Sequence, residues 1–114
     1  MRYRDWRLRL QDILEAISRI ERYTAHMDAH SFQTDEKTLD AVVRNLEVIG
    51  EAARHIPEHV ERDNPQIPWD KMRAIRNVLI HEYFGVSVAI IWHTVRHDLP
   101  PLAPLLQEIL DRPQ

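Results

Sequence analysis

Apolar residues recur every three to four positions along most of the chain, which is the spacing of helices that bury one face. The first such segment runs from about Asp5, a suitable N-cap, to Met27. The second begins at Thr34 or Asp35, either of which can cap it, and ends near Pro57. Their apolar stripes are Leu10, Ile13, Leu14, Ile17 and Ile20 in the first and Leu39, Val42, Val43, Leu46, Ile49, Ala53 and Ile56 in the second.

Prolines divide the second half of the chain into shorter segments. Residues 57–68 have room for one short turn around His59 and Val60, because Pro65 then breaks the helix. A third long helix is predicted from about Pro68 to Phe84, since proline suits a first helical turn, where its missing N–H would have no partner.

The last part of the chain is predicted to hold one or two more helices. Gly85 is suited to end the third helix and Ser87 to cap the next. Pro100 and Pro101 then force a kink or a fresh start, for which Asp98 is a suitable cap. The apolar positions are Val88, Ile91, Trp92 and Val95, followed by Leu102, Leu105, Leu106, Ile109 and Leu110. We therefore expect an all-α, antiparallel bundle of four to five helices in a single domain, residues 1–114.

Composition narrows the classes of function. The 114 residues include no cysteine, which excludes disulfides, thiolate zinc sites and a cysteine nucleophile. No segment has the pattern of a signal peptide or a membrane span, so we expect a soluble, cytoplasmic protein. The formal net charge of -3 gives no support to a broad nucleic-acid surface, so any contact with RNA must rest on local arginines.

The segment from Arg76 to Tyr83 concentrates groups that are suited to phosphate chemistry: a permanent cation, a near-neutral acid or base and a phenol. On an unbroken helix, Arg76 and His81 lie about 140° apart and about 7.5 Å apart along the axis. Either a second chain completes the site or the helix ends before His81. Asn77 stacks under His81 at i,i+4 and can orient the imidazole, and Tyr83 at i,i+7 from Arg76 can donate a hydrogen bond near the guanidinium.

Three histidine pairs at i,i+4 spacing offer a metal-binding alternative, since such a pair can hold one ion from one helix face. Glu51 and Asp98 could add carboxylate ligands. Two ligands do not complete a site, so we expect surface histidines and no metal. The pairs are His26 and His30, His55 and His59, and His93 and His97. The three tryptophans, Trp6, Trp69 and Trp92, are interpreted as core anchors.

The run RNVLIHEYFGV, Arg76 to Val86, resembles the HepT group of HEPN domains, whose signature is an arginine, four residues, a histidine, one residue and a tyrosine. The resemblance covers nearly the whole chain, without a departure at these three positions. Other segments similar in register are RDWRLRLQDILEAISRIERYT from Arg4, DEKTLDAVVRNLEVIGEAA from Asp35, IPW from Ile67, and HDLPPL near the end.

This resemblance implies a HEPN-like helical bundle that forms a homodimer, with the motifs of two subunits facing one cleft. It implies a metal-independent endoribonuclease without a cofactor, in which Arg76 and His81 are catalytic. It also implies a toxin whose partner is an MNT-type nucleotidyltransferase antitoxin that transfers AMP to the motif tyrosine, here Tyr83.

The residues are suited to that chemistry. His81 can exchange a proton with the 2′-hydroxyl of RNA near neutral pH, and the fork of Arg76 fits phosphate oxygens. Lys71 and Arg73 could steer the RNA backbone. The alternative of another class is a non-catalytic HEPN module that binds a nucleotide or serves as an accessory subunit of the nucleotidyltransferase, which the net acidity favours.

Overall fold

The structure is a computed structural model that describes residues 5–82 and 88–113, with the backbone alone for residues 77–82. The described residues form seven α-helices and one π-helical turn and contain no strand, which confirms the all-α prediction. The helices are α1 (Trp6–Thr24), α2 (Ala29–Gln33), α3 (Glu36–Ala53), α4 (Glu58–Asp63), α5 (Trp69–Glu82), α6 (Val88–His93) and α7 (Leu102–Asp111), and the π-helical turn (Thr94–Asp98) lies between α6 and α7.

Aspartates cap the two long N-terminal helices. The Asp5 side chain accepts a hydrogen bond from the backbone N–H of Arg7 at 2.9 Å, and the Asp35 side chain accepts one from the backbone N–H of Thr38 at 3.0 Å. Each cap satisfies a backbone N–H that has no partner within its helix. Asp35, rather than the alternative Thr34, is therefore the cap of α3.

The short helix α2 lies between the first two predicted helices, where the sequence pattern predicted no helix. Asp28 and Ser31 form a reciprocal capping box, with the Ser31 backbone N–H donating to Asp28 at 2.8 Å and the Asp28 backbone N–H donating to Ser31 Oγ at 3.0 Å. This helix buries Phe32 completely, and the Phe32 ring lies 5.0 Å from the ring of Trp92. The connection therefore contributes to the core.

A π-helical turn interrupts the helix that was predicted after Ser87. From this turn, Arg96 donates hydrogen bonds to the carbonyl oxygens of Thr24 at 2.6 Å and Met27 at 2.7 Å, which joins it to the end of α1. Asp98 ends the turn, and α7 begins after Pro101 without a side-chain cap, so the predicted capping role of Asp98 was wrong. The predicted stop at Gly85 and cap at Ser87 lie outside the described residues.

The core forms where α3 packs against both α1 and α5, and α7 packs against α1. Trp69 is buried, and Trp6 and Trp92 pack against the core half-buried, in agreement with their interpretation as anchors. Among the described helices, none is both long and apolar enough to span a membrane. The buried apolar residues include Leu10, Ile13, Ile17, Ile20, Val42, Leu46, Ile49, Ile56, Met72, Leu99, Leu106 and Ile109.

Candidate active site

The site begins at a close contact between α3 and α5. A Cβ atom built on Gly50 would lie 2.7 Å from the Cβ and 2.9 Å from the backbone nitrogen of Arg76. These distances are well inside van der Waals contact, so glycine lets the two helices approach here. The approach places Arg76 beside the residue that follows Gly50 on α3.

That residue is Glu51, whose carboxylate joins three basic side chains. Its Oε1 lies 3.1 Å from Nε of Arg76 and 3.4 Å from NH1 of Arg54, and its Oε2 lies 3.1 Å from Nε2 of His55. The hydrogen bond with His55 lowers the pKa of Glu51 below its ordinary value, and the charges of Arg54 and Arg76 lower it further. Glu51 is therefore ionised at neutral pH.

Contact through Nε constrains what Arg76 can do. A guanidinium has five N–H donors in a planar fork, and Nε carries only one of them. The remaining four donors are on the two terminal nitrogens, which form the edge that suits a phosphate in two-point contact. Glu51 therefore holds the arginine through Nε, and this contact does not use the edge that suits an anion.

Arg76 and Glu51 lie on the wall of a cleft of about 340 Å³ between α1, α3 and α5. This volume is in the range of small-ligand sites, roughly 300–1,000 Å³. The cleft, called the arginine cleft below, is lined by Arg9 and Asp12 of α1, Arg44, Glu47, Val48, Glu51 and Ala52 of α3, and Arg76 of α5. Its polar lining combines three guanidinium groups with three carboxylates.

The other residues of the motif continue along α5. The helix runs without interruption through His81 to Glu82, so it does not end before His81, and the separation of about 140° between Arg76 and His81 remains. The side chains of Asn77 and His81 are outside the description, and so is the whole of Tyr83.

The two residues predicted to steer RNA lie away from the arginine cleft. Arg73 forms ion pairs with Glu61 of α4 and Asp70 of α5. Lys71 lines a separate, largely apolar groove next to the π-helical turn, together with Met72 and Ile75. Because Arg73 is already paired within the chain, it has less charge to offer to RNA than its position in the sequence suggested.

Sequence reasoning did not find most of the arginine cleft. Arg44, Glu47 and Glu51 are spaced at i, i+3 and i+7, which places them on one face of α3. That spacing was a usable signal, but a polar helix face is usually interpreted as solvated. Only the packing of α1 against α3 brings Arg9 to the same place.

The histidine pairs do not form a metal site in the part of the chain that the structure describes. Across those residues, no group of three or more histidine and carboxylate side chains could hold an ion. His55 instead contacts Glu51. His93 and His97 stack with their ring centroids 4.6 Å apart.

Comparison with known proteins agrees with this architecture. The profile of the ribonuclease HepT-like family matches residues 13–109. A protein of Thermococcus cleftensis that is named as a probable ribonuclease HepT is 48% identical over 93 residues, covering 82% of this chain and 84% of the relative. A candidate RNase of Methanocaldococcus jannaschii is 42% identical over 107 residues, 94% of this chain and 88% of that protein.

A candidate RNase of Caldanaerobacter subterraneus is 34% identical over 103 residues, 90% of this chain and 92% of the relative. The comparison with solved structures finds no match. The fold is thus a small all-α bundle of the HEPN type, with an arginine and a histidine on one helix. The chain belongs to the ribonuclease HepT-like family.

Proposed function

We propose that this chain is a metal-independent endoribonuclease and the toxin of a toxin–antitoxin pair. The observation that carries the proposal is the contact between Arg76 and Glu51 at the edge of a cleft, five residues before His81 on the same helix. The names of its relatives, which refer to ribonucleases, support the choice of RNA as substrate.

The proposed reaction uses the nucleophile that RNA carries. His81 accepts the proton of a 2′-hydroxyl, the 2′-oxygen forms a bond to the adjacent phosphorus, and the bond from phosphorus to the 5′-oxygen breaks. The 5′-oxygen takes a proton from a second acid, which leaves a 2′,3′-cyclic phosphate and a 5′-hydroxyl. Histidine suits both proton transfers because its ordinary pKa, about 6.5, lies close to neutral pH.

Arg76 serves this reaction as an electrostatic group. It cannot act as the base, because a guanidinium is not deprotonated in proteins. The terminal nitrogens that Glu51 leaves available can donate to the non-bridging oxygens, which gain negative charge as the phosphorus becomes five-coordinate. Neither proton transfer nor charge stabilisation requires a metal ion in this scheme.

Two subunits are proposed to share the site. Because α5 is unbroken from Arg76 to His81, the two positions lie on different sides of the helix. A second copy of α5 would bring its own arginine and histidine to one cleft, with Asn77 orienting each imidazole. The second histidine would then supply the acid for the leaving 5′-oxygen.

Tyr83 is proposed as the control point of the toxin. In the proposed modification, the tyrosine oxygen attacks the α-phosphate of ATP on an MNT-type nucleotidyltransferase, forming tyrosyl-AMP and releasing pyrophosphate. The added phosphate would compete for Arg76 and block RNA. Lys71 and Arg73 retain a minor proposed part in steering RNA, although the ion pairs of Arg73 reduce it.

Cleavage of RNA in the presence of a chelator tests the activity. Wild-type protein should cut, whereas His81→Ala and Arg76→Ala should lose at least about a hundredfold in rate, as expected when an acid–base group is removed. Arg19→Ala and His59→Ala, purified in the same way, are the matched controls, because both residues lie outside the arginine cleft. Full activity in the two site variants would contradict the mechanism.

Mixing two inactive variants tests the shared site. A dimer formed from one Arg76→Ala subunit and one His81→Ala subunit contains one intact arginine and one intact histidine on opposite subunits. If the site combines residues of two subunits, denaturing and refolding the two variants together should restore part of the activity, with water in place of the missing second histidine as the acid for the 5′-oxygen. Without any restoration, although mixed dimers are detected by mass, the site would have to lie within one subunit.

The alternative is a non-catalytic subunit that binds a nucleotide or assists a nucleotidyltransferase, and the net charge of -3 favours it. Binding of ATP without any RNA cleavage by wild-type protein would support that role. Co-expression with an MNT-type nucleotidyltransferase tests the modification. Intact mass should rise in AMP-sized steps in wild-type protein and remain unchanged in Tyr83→Phe.

A further inference from the structure

The arginine cleft extends well beyond Arg76, and its far end has no part in the reaction described above. Arg44 lies seven residues before Glu51 on the same face of α3, which corresponds to about 10 Å along the helix. Stacked nucleotides rise by about 3.4 Å each, so this length matches roughly three nucleotides of one strand.

Two arginines in this part of the cleft have no ion-pair partner among the described side chains. Among the described side chains, no carboxylate lies within ion-pair distance, 4.0 Å, of the guanidinium of Arg9 or Arg44. The Nε of Arg9 is also buried without a hydrogen-bond partner in the described part of the chain. A buried donor without a partner is destabilising, and proteins rarely keep one without a reason.

Two carboxylates of the cleft, Glu51 and Glu47, differ in the ion pairs that they form. Glu51 is occupied by Arg76, Arg54 and His55. Glu47, half-buried between Arg44 and Glu51 on the same face of α3, forms no ion pair with an arginine in the described part of the chain. The cleft therefore offers two arginines to an anion and, next to them, a carboxylate that can accept hydrogen bonds.

We propose that the arginine cleft is a binding subsite for single-stranded RNA next to the bond that is cut, in which Arg44 and Arg9 bind a backbone phosphate and Glu47 accepts a hydrogen bond from a base. A nucleotide presents both an anion and N–H donors on its base, which the mixed lining matches and a purely basic groove would not. This inference rests on the proposed ribonuclease function and adds the residues that hold the substrate strand.

Single-stranded RNA is the form that fits. Base edges are accessible in single strands, whereas the deep and narrow major groove of duplex RNA hides most of them. The cleft lies between helices and is small, so it can admit one strand but has no room for a duplex.

Binding can be measured apart from cleavage with a short fluorescent oligonucleotide of 2′-O-methyl RNA, which lacks the free 2′-hydroxyl and is not cut. By fluorescence anisotropy, Arg44→Ala should weaken binding about five- to tenfold and should reduce the slope of log K against log salt by about 0.7, the value for one phosphate of a single strand. Arg19→Ala removes an arginine from α1 outside the cleft and should bind as wild type does.

Arg9→Gln is the second variant, because its half-buried side chain makes alanine a risk to folding. Arg9→Gln should weaken RNA binding by the same factor as Arg44→Ala, with a thermal unfolding midpoint near that of wild type. Wild-type affinity in both Arg44→Ala and Arg9→Gln would overturn the subsite. Equal affinity of wild-type protein for a duplex of the same sequence would also overturn it.

Glu47→Gln tests the contact with the base. The wild-type affinities for the four homopolymeric oligonucleotides should differ, and the variant should narrow the differences because an amide is a weaker acceptor than a carboxylate. If Glu47→Gln keeps the wild-type order and spread of affinities for the four oligonucleotides, the proposed contact between Glu47 and a base would be overturned.

These measurements separate the subsite from the activity. If wild-type protein cuts RNA while Arg44→Ala cuts and binds equally well, the ribonuclease proposal stands and the subsite falls. If wild-type protein does not cut RNA but its binding depends on Arg44, the catalytic proposal falls and the cleft remains an RNA-binding surface.

Discussion

Gly50 lies directly against Arg76, so closely that a Cβ atom on the glycine would be 2.7 Å from that of the arginine. The contact positions α5 on α3 at the level of Glu51. The glycine therefore serves the site through helix packing, since it fixes the depth at which the guanidinium meets its carboxylate partner.

Gly50→Ala should impair both stability and the site. Alanine is the better helix former by about 1 kcal/mol, but the added methyl group must displace the backbone of α5, and overpacking of this kind costs about 1–3 kcal/mol. We expect a lower urea midpoint and a loss of cleavage that exceeds the loss of folded protein. Ala74→Ser, on an exposed part of α5, is the control. A more stable and fully active Gly50→Ala protein would contradict the role of the contact.

Glu51→Gln should lower the rate of RNA cleavage about tenfold, equivalent to about 1.4 kcal/mol, because a neutral amide holds the guanidinium of Arg76 less firmly. The loss should appear in kcat more than in KM, since the proposed mechanism has Arg76 act most strongly on the charge that develops in the transition state. Glu15→Gln neutralises a comparable ion pair, Glu15 with Arg19 at 3.0 Å, and should leave the rate unchanged. Equal rates in the two variants would remove Glu51 from the mechanism.

The sequence predicted the long helices because each buries a continuous apolar face. It also identified Asp5 as a cap and Asp35 as one of two candidate caps, since a cap depends on neighbours in sequence. It missed α2, because five residues are too few to show a period, and their capping box was not recognised. The π-helical turn was also missed, because its apolar pattern does not differ enough from that of an α-helix.

The candidate site, too, has features that could be predicted from the sequence and features that could not. The motif with Arg76 and His81 is local in sequence and could be identified there. The pairing of Arg76 with Glu51 depends on the depth of the contact at Gly50, and the position of Arg9 depends on how α1 packs against α3. Such relationships between distant segments leave no periodic signal in one sequence.

The ionisation of Glu51 makes part of the free energy of unfolding depend on pH. Folding lowers the pKa of Glu51, so the ionised carboxylate stabilises the folded state. This stabilisation is fully present above the ordinary pKa of 4.5. It is lost as pH falls through the lower value of the folded protein. We expect the urea midpoint of wild type to fall more steeply than that of Glu51→Gln below about pH 4.5. Parallel curves for the two proteins would contradict the coupling.

Asn64 fixes the start of α5, the helix that carries Arg76. Its buried side chain donates to the carbonyl of Val60 at 2.9 Å and accepts from Arg112 at 2.8 Å, while its own carbonyl accepts from Nε1 of Trp69 at 3.0 Å. Asn64→Ala removes both side-chain bonds and should cost about 1–3 kcal/mol in the free energy of unfolding. Gln107→Ala, which removes an exposed hydrogen bond to Asp111 on α7, is the control and should change stability little. Because Asn64 lies outside the arginine cleft, the cleavage rate per folded molecule should remain at the wild-type value. A wild-type unfolding curve would show that the two side-chain bonds of Asn64 do not contribute to stability.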